Sequence, residues 1–331
     1  MFRQDRTNPS TAISNWRGRL DSAKGWPSTA VSSWLNGGLF GSNVWGYSTT
    51  GSPDDTVVDI GGTDYRILRW TGSGTLTIEG NPDEITAQVL VVGGGGAGGS
   101  QNGHGTGGGG GGGMRQETSM ALPAAVATIT VGTGGSGGMV ASSGVLNYSG
   151  TDSSIAWAGG ITLAGTGGGK GGNDYTPSGP FAGGSGGGGR AGGAGAAGNA
   201  GSYSPAEGHA GGAASNAWGV TGGGGGGSYG VGNSGNGYSS GSGGQALTDT
   251  TYTGSALYYG GGGSGQGYGP SQIPAISPGG GTGSNSPDTN TCIGTDGTGG
   301  GGGAGGGTGT ATLWNTDGGN GVVIFRWVDQ A

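Results

Sequence analysis

The apolar positions of this chain fall into two regimes. Between about 55 and 164, β-branched and aromatic residues recur in short runs of period two. That alternation predicts strands at Thr56–Ile60, Tyr65–Trp70, Thr75–Glu79, Ile85–Val92, Arg115–Leu122, Val126–Val131, Ser153–Trp157 and Ile161–Ala164. A further apolar run, Gly321–Val328, follows a turn at Asp317-Gly318. A strand so far from the rest is expected to return to the same sheet. The reading is therefore an all-β chain, a β-sandwich built from 55–164 plus 310–331.

The intervening region, 165–309, holds only seven Val, Leu or Ile residues, so it cannot bury a conventional core. It has another regularity. Gly183, Gly186, Gly189, Gly192, Gly195, Gly198 and Gly201 are spaced by three, and so are Gly294, Gly297, Gly300, Gly303, Gly306 and Gly309. A period of three suits threefold extended helices, and the absence of proline from both runs excludes collagen. Packed polyglycine-II helices are the expectation, because only glycine lets backbones approach so closely. Ordering each residue costs roughly 1–2 kcal/mol, while an amide bond returns about 0.5–1.5 kcal/mol, so such a bundle needs a clamp. A sandwich from which the helices leave and to which they return supplies one.

Residues 1–54 form a third unit. Pro9-Ser-Thr-Ala-Ile-Ser-Asn-Trp16 recurs as Pro27-Ser-Thr-Ala-Val-Ser-Ser-Trp34, and each copy offers a Ser or Thr cap and a glycine stop, predicting two short helices or turns. Trp16, Trp26, Trp34, Phe40 and Trp45 are more aromatics than this segment can bury alone. They are candidates for docking to neighbouring subunits or, alternatively, for packing on the next domain.

Composition narrows the function classes. The chain has 331 residues, 97 of them glycine, and a net charge of −7. Its basic residues are scattered, so no nucleic-acid footprint is expected. Cys292 is the only cysteine, which leaves no intrachain disulfide. Neither a signal peptide nor a run of about 20 apolar residues is found, so synthesis in a cytoplasm without a membrane span is expected. "VLVVGGGGAGG" at 89–99 satisfies G-x-G-x-x-G, yet the following "SQNGHGTGGGGGGG" cannot supply the helix that a dinucleotide site needs. Its strand is expected to run on, at Gly93, into the glycine bundle. His104 and His209 lack metal-ligand spacing, the lone "GGKGGND" at 168–174 misses the calcium-repeat register, and Asp288, Asp296 and Asp317 read as turn residues. No enzyme activity, metal or cofactor is expected.

Several stretches together carry a resemblance: "VLVVGGGGAGG", the seven glycines at 107–113, "ATITVGTGGSGG" at 127–138, "AGTGGGKGG" at 164–172 and "GGNGVVIFRW" at 318–327. Their order resembles the glycine-rich domain of bacteriophage virion and tail-fibre proteins. It is also similar to the ectodomain of anaplastic lymphoma kinase, which implies a jelly-roll or tumour-necrosis-factor-like sandwich carrying the glycine bundle. The resemblance implies a tail-fibre, tail or capsid-decoration component, made in the host cytoplasm and located in the virion. Its partners would be other virion proteins through the N-terminal segment, further copies of itself in a homo-oligomer, and a host-surface glycan or protein. Tyr175, Phe181, Tyr203, Trp218, Tyr229 and Tyr238 fall between glycine runs. They either seal a coreless bundle or form a receptor-facing surface. The alternative function is ice binding, since springtail antifreeze proteins are also polyglycine-II bundles; it would require a flat face of small residues.

Overall fold

In a computed structural model, the residues described are 45–329 except 82–83, 103–104, 141–143, 159, 174–178, 217–220, 251, 268–277, 285–291 and 308–314. The two short helices expected within residues 1–48, and Trp16, Trp26, Trp34 and Phe40, lie outside them. The described residues contain no helix. In chain order the strands are β1 (Gly46–Thr50), β2 (Asp54–Asp59), β3 (Asp64–Trp70), β4 (Gly74–Gly80), β5 (Thr86–Val92), β6 (Ser100–Asn102), β7 (Met114–Ala121) and β8 (Val126–Thr130). They continue with β9 (Gly137–Val140), β10 (Gly144–Asn147), β11 (Ser153–Trp157), β12 (Gly160–Gly165), β13 (Leu247–Asp249), β14 (Leu257–Tyr259), β15 (Gly305–Gly307) and β16 (Val322–Val328).

Two five-stranded antiparallel sheets carry the fold, ordered β1-β4-β8-β11-β12 and β2-β3-β16-β5-β7. All nine strands expected from the alternation are present, and β16 occupies the centre of its sheet, between β3 and β5. The period of two puts Leu68 and Trp70, Val89 and Val91, and Val323, Phe325 and Trp327 on one face. There they meet Leu76, Ile78, Ala127, Ile129, Ile155, Trp157 and Leu163 of the other sheet, forming one sandwich core. Trp70 stands edge-on to Phe325 with ring centres 5.8 Å apart. Strand β1 falls within the segment expected to end at 54, yet it pairs with β4 along its whole length.

The glycine segments leave the sandwich from strand ends. Gly93 continues β5, Gly113 leads into β7, Thr166 follows β12, and Gly321 enters β16. Residues 107–113 run through the middle of the packed region, and their hydrogen bonds rotate with a period of three. The N–H groups of Gly107, Gly110 and Gly113 donate to Gly172, Gly169 and Thr166; those of Gly108 and Gly111 to Gly223 and Gly226; those of Gly109 and Gly112 to Gly302 and Gly299. Their carbonyls rotate likewise, accepting from segment 93–99, from Ser185 and Gly188, and from Gly263. Six neighbouring segments thus surround one backbone, and no side chain could enter. A Cβ at Gly108 would fall on the carbonyl of Gly263, one at Gly109 on Gly96, one at Gly110 on Ser185 and one at Gly111 on Gly260.

The two period-three runs are not continuous segments. The first reverses at Ala191 and Gly192, both with positive φ, where Gly193 donates to Arg190 at 2.7 Å. It then returns antiparallel, Ala196 bonding Gly187 and Asn199 bonding Gly184. The second reverses at Gly297 and Gly299, at φ of 70° and 69°. Glycine serves both the close approach and the left-handed turn, so spacing alone does not distinguish them.

Candidate interaction surfaces

The junction between sheets and glycine segments is held by polar side chains. Glu207, 1% exposed, accepts the Gly201 N–H on Oε1 and the Thr166 N–H on Oε2, both at 2.9 Å, while its own carbonyl accepts from Met114. Ser153 Oγ donates to the Val92 carbonyl at 2.7 Å and accepts from Gly132. Asp296, which lies in a turn, and Asp317, which does not, accept the backbone N–H groups of Asn320 and Gly137, so both tie segments distant in sequence; Asp288 lies outside the described residues. Buried backbone donors must find acceptors, and these side chains supply them where the glycine pattern stops. Gly93–Gly99, the apparent nucleotide loop, bonds to Gly113, Thr151, Gly319, Gly110, Tyr148, Thr316 and Gly107 and so forms part of the packing.

The structure spreads the loop aromatics. Tyr175 and Trp218 lie outside the described residues. Phe181 is exposed along the flank, with Lys170 Nζ 4.5 Å above its ring, and burial holds the Lys170 pKa below its usual value. Tyr203 is half-buried under the Arg115 guanidinium at 3.9 Å, close to the sandwich. Tyr229 and Tyr238 are 65% and 70% exposed, at opposite ends of the packed region. Segment 221–227 runs parallel to 107–113, towards the sandwich, and delivers Tyr229 there. Residues 232–235 return past Gly224 to Thr221, whose Oγ1 accepts from Gly237, so Tyr238 sits at the far end. Trp45, a candidate either for docking or for packing on the next domain, packs on the sandwich, edge-on to Trp327 at 5.7 Å.

Other aromatics of the glycine-rich region cover a sheet. Val322 and Ile324 of β16, Leu90 and Val92 of β5 and Ile67 of β3 face away from the sandwich core, and Tyr252, Tyr259 and Leu257 bury them. Tyr252 donates its hydroxyl to the Val89 carbonyl at 3.0 Å, and burial raises its pKa. The Tyr259 hydroxyl is buried without a hydrogen-bond partner, and burial pushes it up to about 12. The unbroken apolar runs "VLVV" and "VVIF" carried the signal for this cover, because a strand apolar on both faces must be buried on both.

Beside that cover lies an open cleft of about 390 Å³, lined by Asp54, Asp55, Thr56, Val58, Ile67, Arg69, Thr253 and Leu257. Arg69 donates Nη1 to Asp54 at 3.5 Å and Nη2 to the Gly297 carbonyl at 3.3 Å. Asp55 is engaged by Arg66 at 3.0 Å and by the Tyr47 hydroxyl at 2.9 Å. Burial, and then that bond to a carboxylate, push Tyr47 up to about 12. Among the described residues no group of three or more His, Cys, Asp or Glu could hold a metal ion, and no helix is long and apolar enough to cross a membrane. His104 lies outside the described residues, and His209 is half-buried among glycine segments. In comparisons with known proteins, a family model described as a glycine-rich domain matches residues 70–328. No curated protein matches the chain.

Proposed function

The chain belongs to the glycine-rich domain family, and from that premise we propose that it is a bacteriophage virion structural protein, a tail-fibre, tail or capsid-decoration component. In this reading the sandwich, on a jelly-roll or tumour-necrosis-factor-like path, anchors a bundle of polyglycine-II helices whose loops face the host surface. The part of the expected docking segment that precedes β1 docks the protein to the particle, and copies associate in a homo-oligomer. One observation carries the display role: glycine segments are tied to strand ends on one side, and on the side away from the sandwich a reversal leaves Tyr238 exposed. The rotation of partners around 107–113 supports the threefold helix, which rises about 3.1 Å per residue and would place Tyr238 roughly 20 Å from the sandwich end.

Mass spectrometry and cryo-microscopy of purified particles of the encoding phage test the assignment. Stoichiometric copies in the particle support it, and their absence refutes it. Backbone chemical shifts test the helix type: φ near −75° and ψ near +145° across 107–113 are expected. Thermal hysteresis of the purified protein would favour ice binding instead.

A further inference from the structure

The cleft on the outer face of the β2-β3 edge has a composition of its own. Pairing sets Asp54 opposite Arg69, Thr56 opposite Ile67 and Val58 opposite Tyr65. One row of β2 thus presents a carboxylate, a hydroxyl and a methyl-rich surface along the same face as Arg69 and Ile67. Thr253 and Leu257, from the segment that covers the sheet, form the facing wall. Its volume lies within the roughly 300–1,000 Å³ range of small-ligand sites.

We propose that this cleft binds a neutral, hydroxyl-rich ligand with one apolar face, a saccharide unit. Val58 and Leu257, both only partly buried, supply apolar surface for the C–H face of a sugar ring. Asp54 has capacity to accept hydroxyl protons, since its side chain is 68% exposed and its one ion pair is long, at 3.5 Å. Arg69 has donor capacity left, because Nη1 and Nη2 each carry two N–H groups and each donates once, to Asp54 and to the Gly297 carbonyl. A sugar hydroxyl both donates and accepts, so one ring can bridge the pair. An anion would meet the carboxylates of Asp54 and Asp55, and a cation would meet Arg69. Charge-assisted hydrogen bonds from hydroxyls to Asp54 are then the strongest polar contacts available. This site is separate from the loops invoked for attachment, and the inference stands whether or not the protein is part of a virion.

The test is saturation-transfer NMR on the full-length protein. The probes are glucose, galactose, mannose, N-acetylglucosamine, lactose and maltose, with N-acetylneuraminic acid and free amino acids as charged comparators. At least one neutral sugar is expected to bind at millimolar concentration. Asp54→Ala should weaken it at least tenfold, and Thr56→Trp, which fills the cleft, should abolish it. Tyr238→Ala should leave it unchanged, and wild-type-like melting of the variants shows that the fold is retained. Binding of no neutral sugar, of charged comparators alone, or equally by Asp54→Ala and Thr56→Trp overturns the inference.

Discussion

Replacing Gly109 by alanine isolates what the glycine packing demands. Gly109 donates to Gly302 at 2.8 Å and accepts from Gly263 at 2.9 Å, and an added methyl would fall on the carbonyl of Gly96. Segment 93–99 would have to retreat, but Gly96 itself bonds Gly110 at 2.8 Å and Gly302 at 2.9 Å. Overpacking a tight interior costs roughly 1–3 kcal/mol, and each buried backbone group left without a partner costs a further 1–3 kcal/mol or so. With one or two such groups orphaned, Gly109→Ala should lose about 3–6 kcal/mol. Gly72→Ala is the matched control, because its Cβ would meet open space and its φ is not positive, so it should be neutral or gain about 0.4–1 kcal/mol. Guanidinium denaturation followed by tryptophan fluorescence measures both. Since 107–113 has neighbours on every side, alanine at 108, 110 or 111 should cost as much as at 109. A Gly109→Ala protein within about 1 kcal/mol of wild type, at unchanged m-value, would refute the packing argument.

Glu207→Ala should destabilise by about 2–4 kcal/mol, since it orphans the buried N–H groups of Gly201 and Thr166, and Glu207→Gln should recover part of that by accepting one of them; chemical denaturation reads both. Alkaline pH should weaken the fold. An unfolded tyrosine loses its proton near 10, whereas Tyr47 and Tyr259 hold theirs to about 12 in the fold. Their contribution is complete below pH 10 and lost as pH rises towards 12. Tyr259→Phe should flatten that loss in a pH-stepped melt and, as the hydroxyl has no partner, cost under about 0.5 kcal/mol at pH 7. Tyr238→Ala should melt within roughly 0.5 kcal/mol of wild type while reducing particle adsorption to host cells, if the far-end loop takes part in attachment.

Strands that alternate over five or more residues were legible in the sequence, since period two marks a face whatever surrounds it. "GYSTT" at 46–50 was not: its inward-facing Tyr47 is flanked by small polar residues, and Trp45 beside it reads equally well as surface or core. The short strands β6 and β15 escape for other reasons, as Ser100–Asn102 is polar throughout and Gly305–Gly307 has no side chains to alternate. Tyr252 and Tyr259 lie amid turn residues, and only the outward apolar face of β5 and β16, far away in sequence, says what they cover. The cleft joins residues near 54, 69 and 255, a juxtaposition made by sheet order rather than by any local motif.

The placement of β16 carries a consequence for biosynthesis. A ribosome delivers β3 and β5 more than two hundred residues before the strand that joins them, so through most of translation that sheet has a gap at its centre. Contacts of such long sequence separation form slowly, and the exposed strand edges invite wrong partners meanwhile. A chain that stalls anywhere in the glycine tract never receives its central strand. Closure of the sheet therefore acts as a completeness check: only a polypeptide translated through Val328 can shut the sandwich.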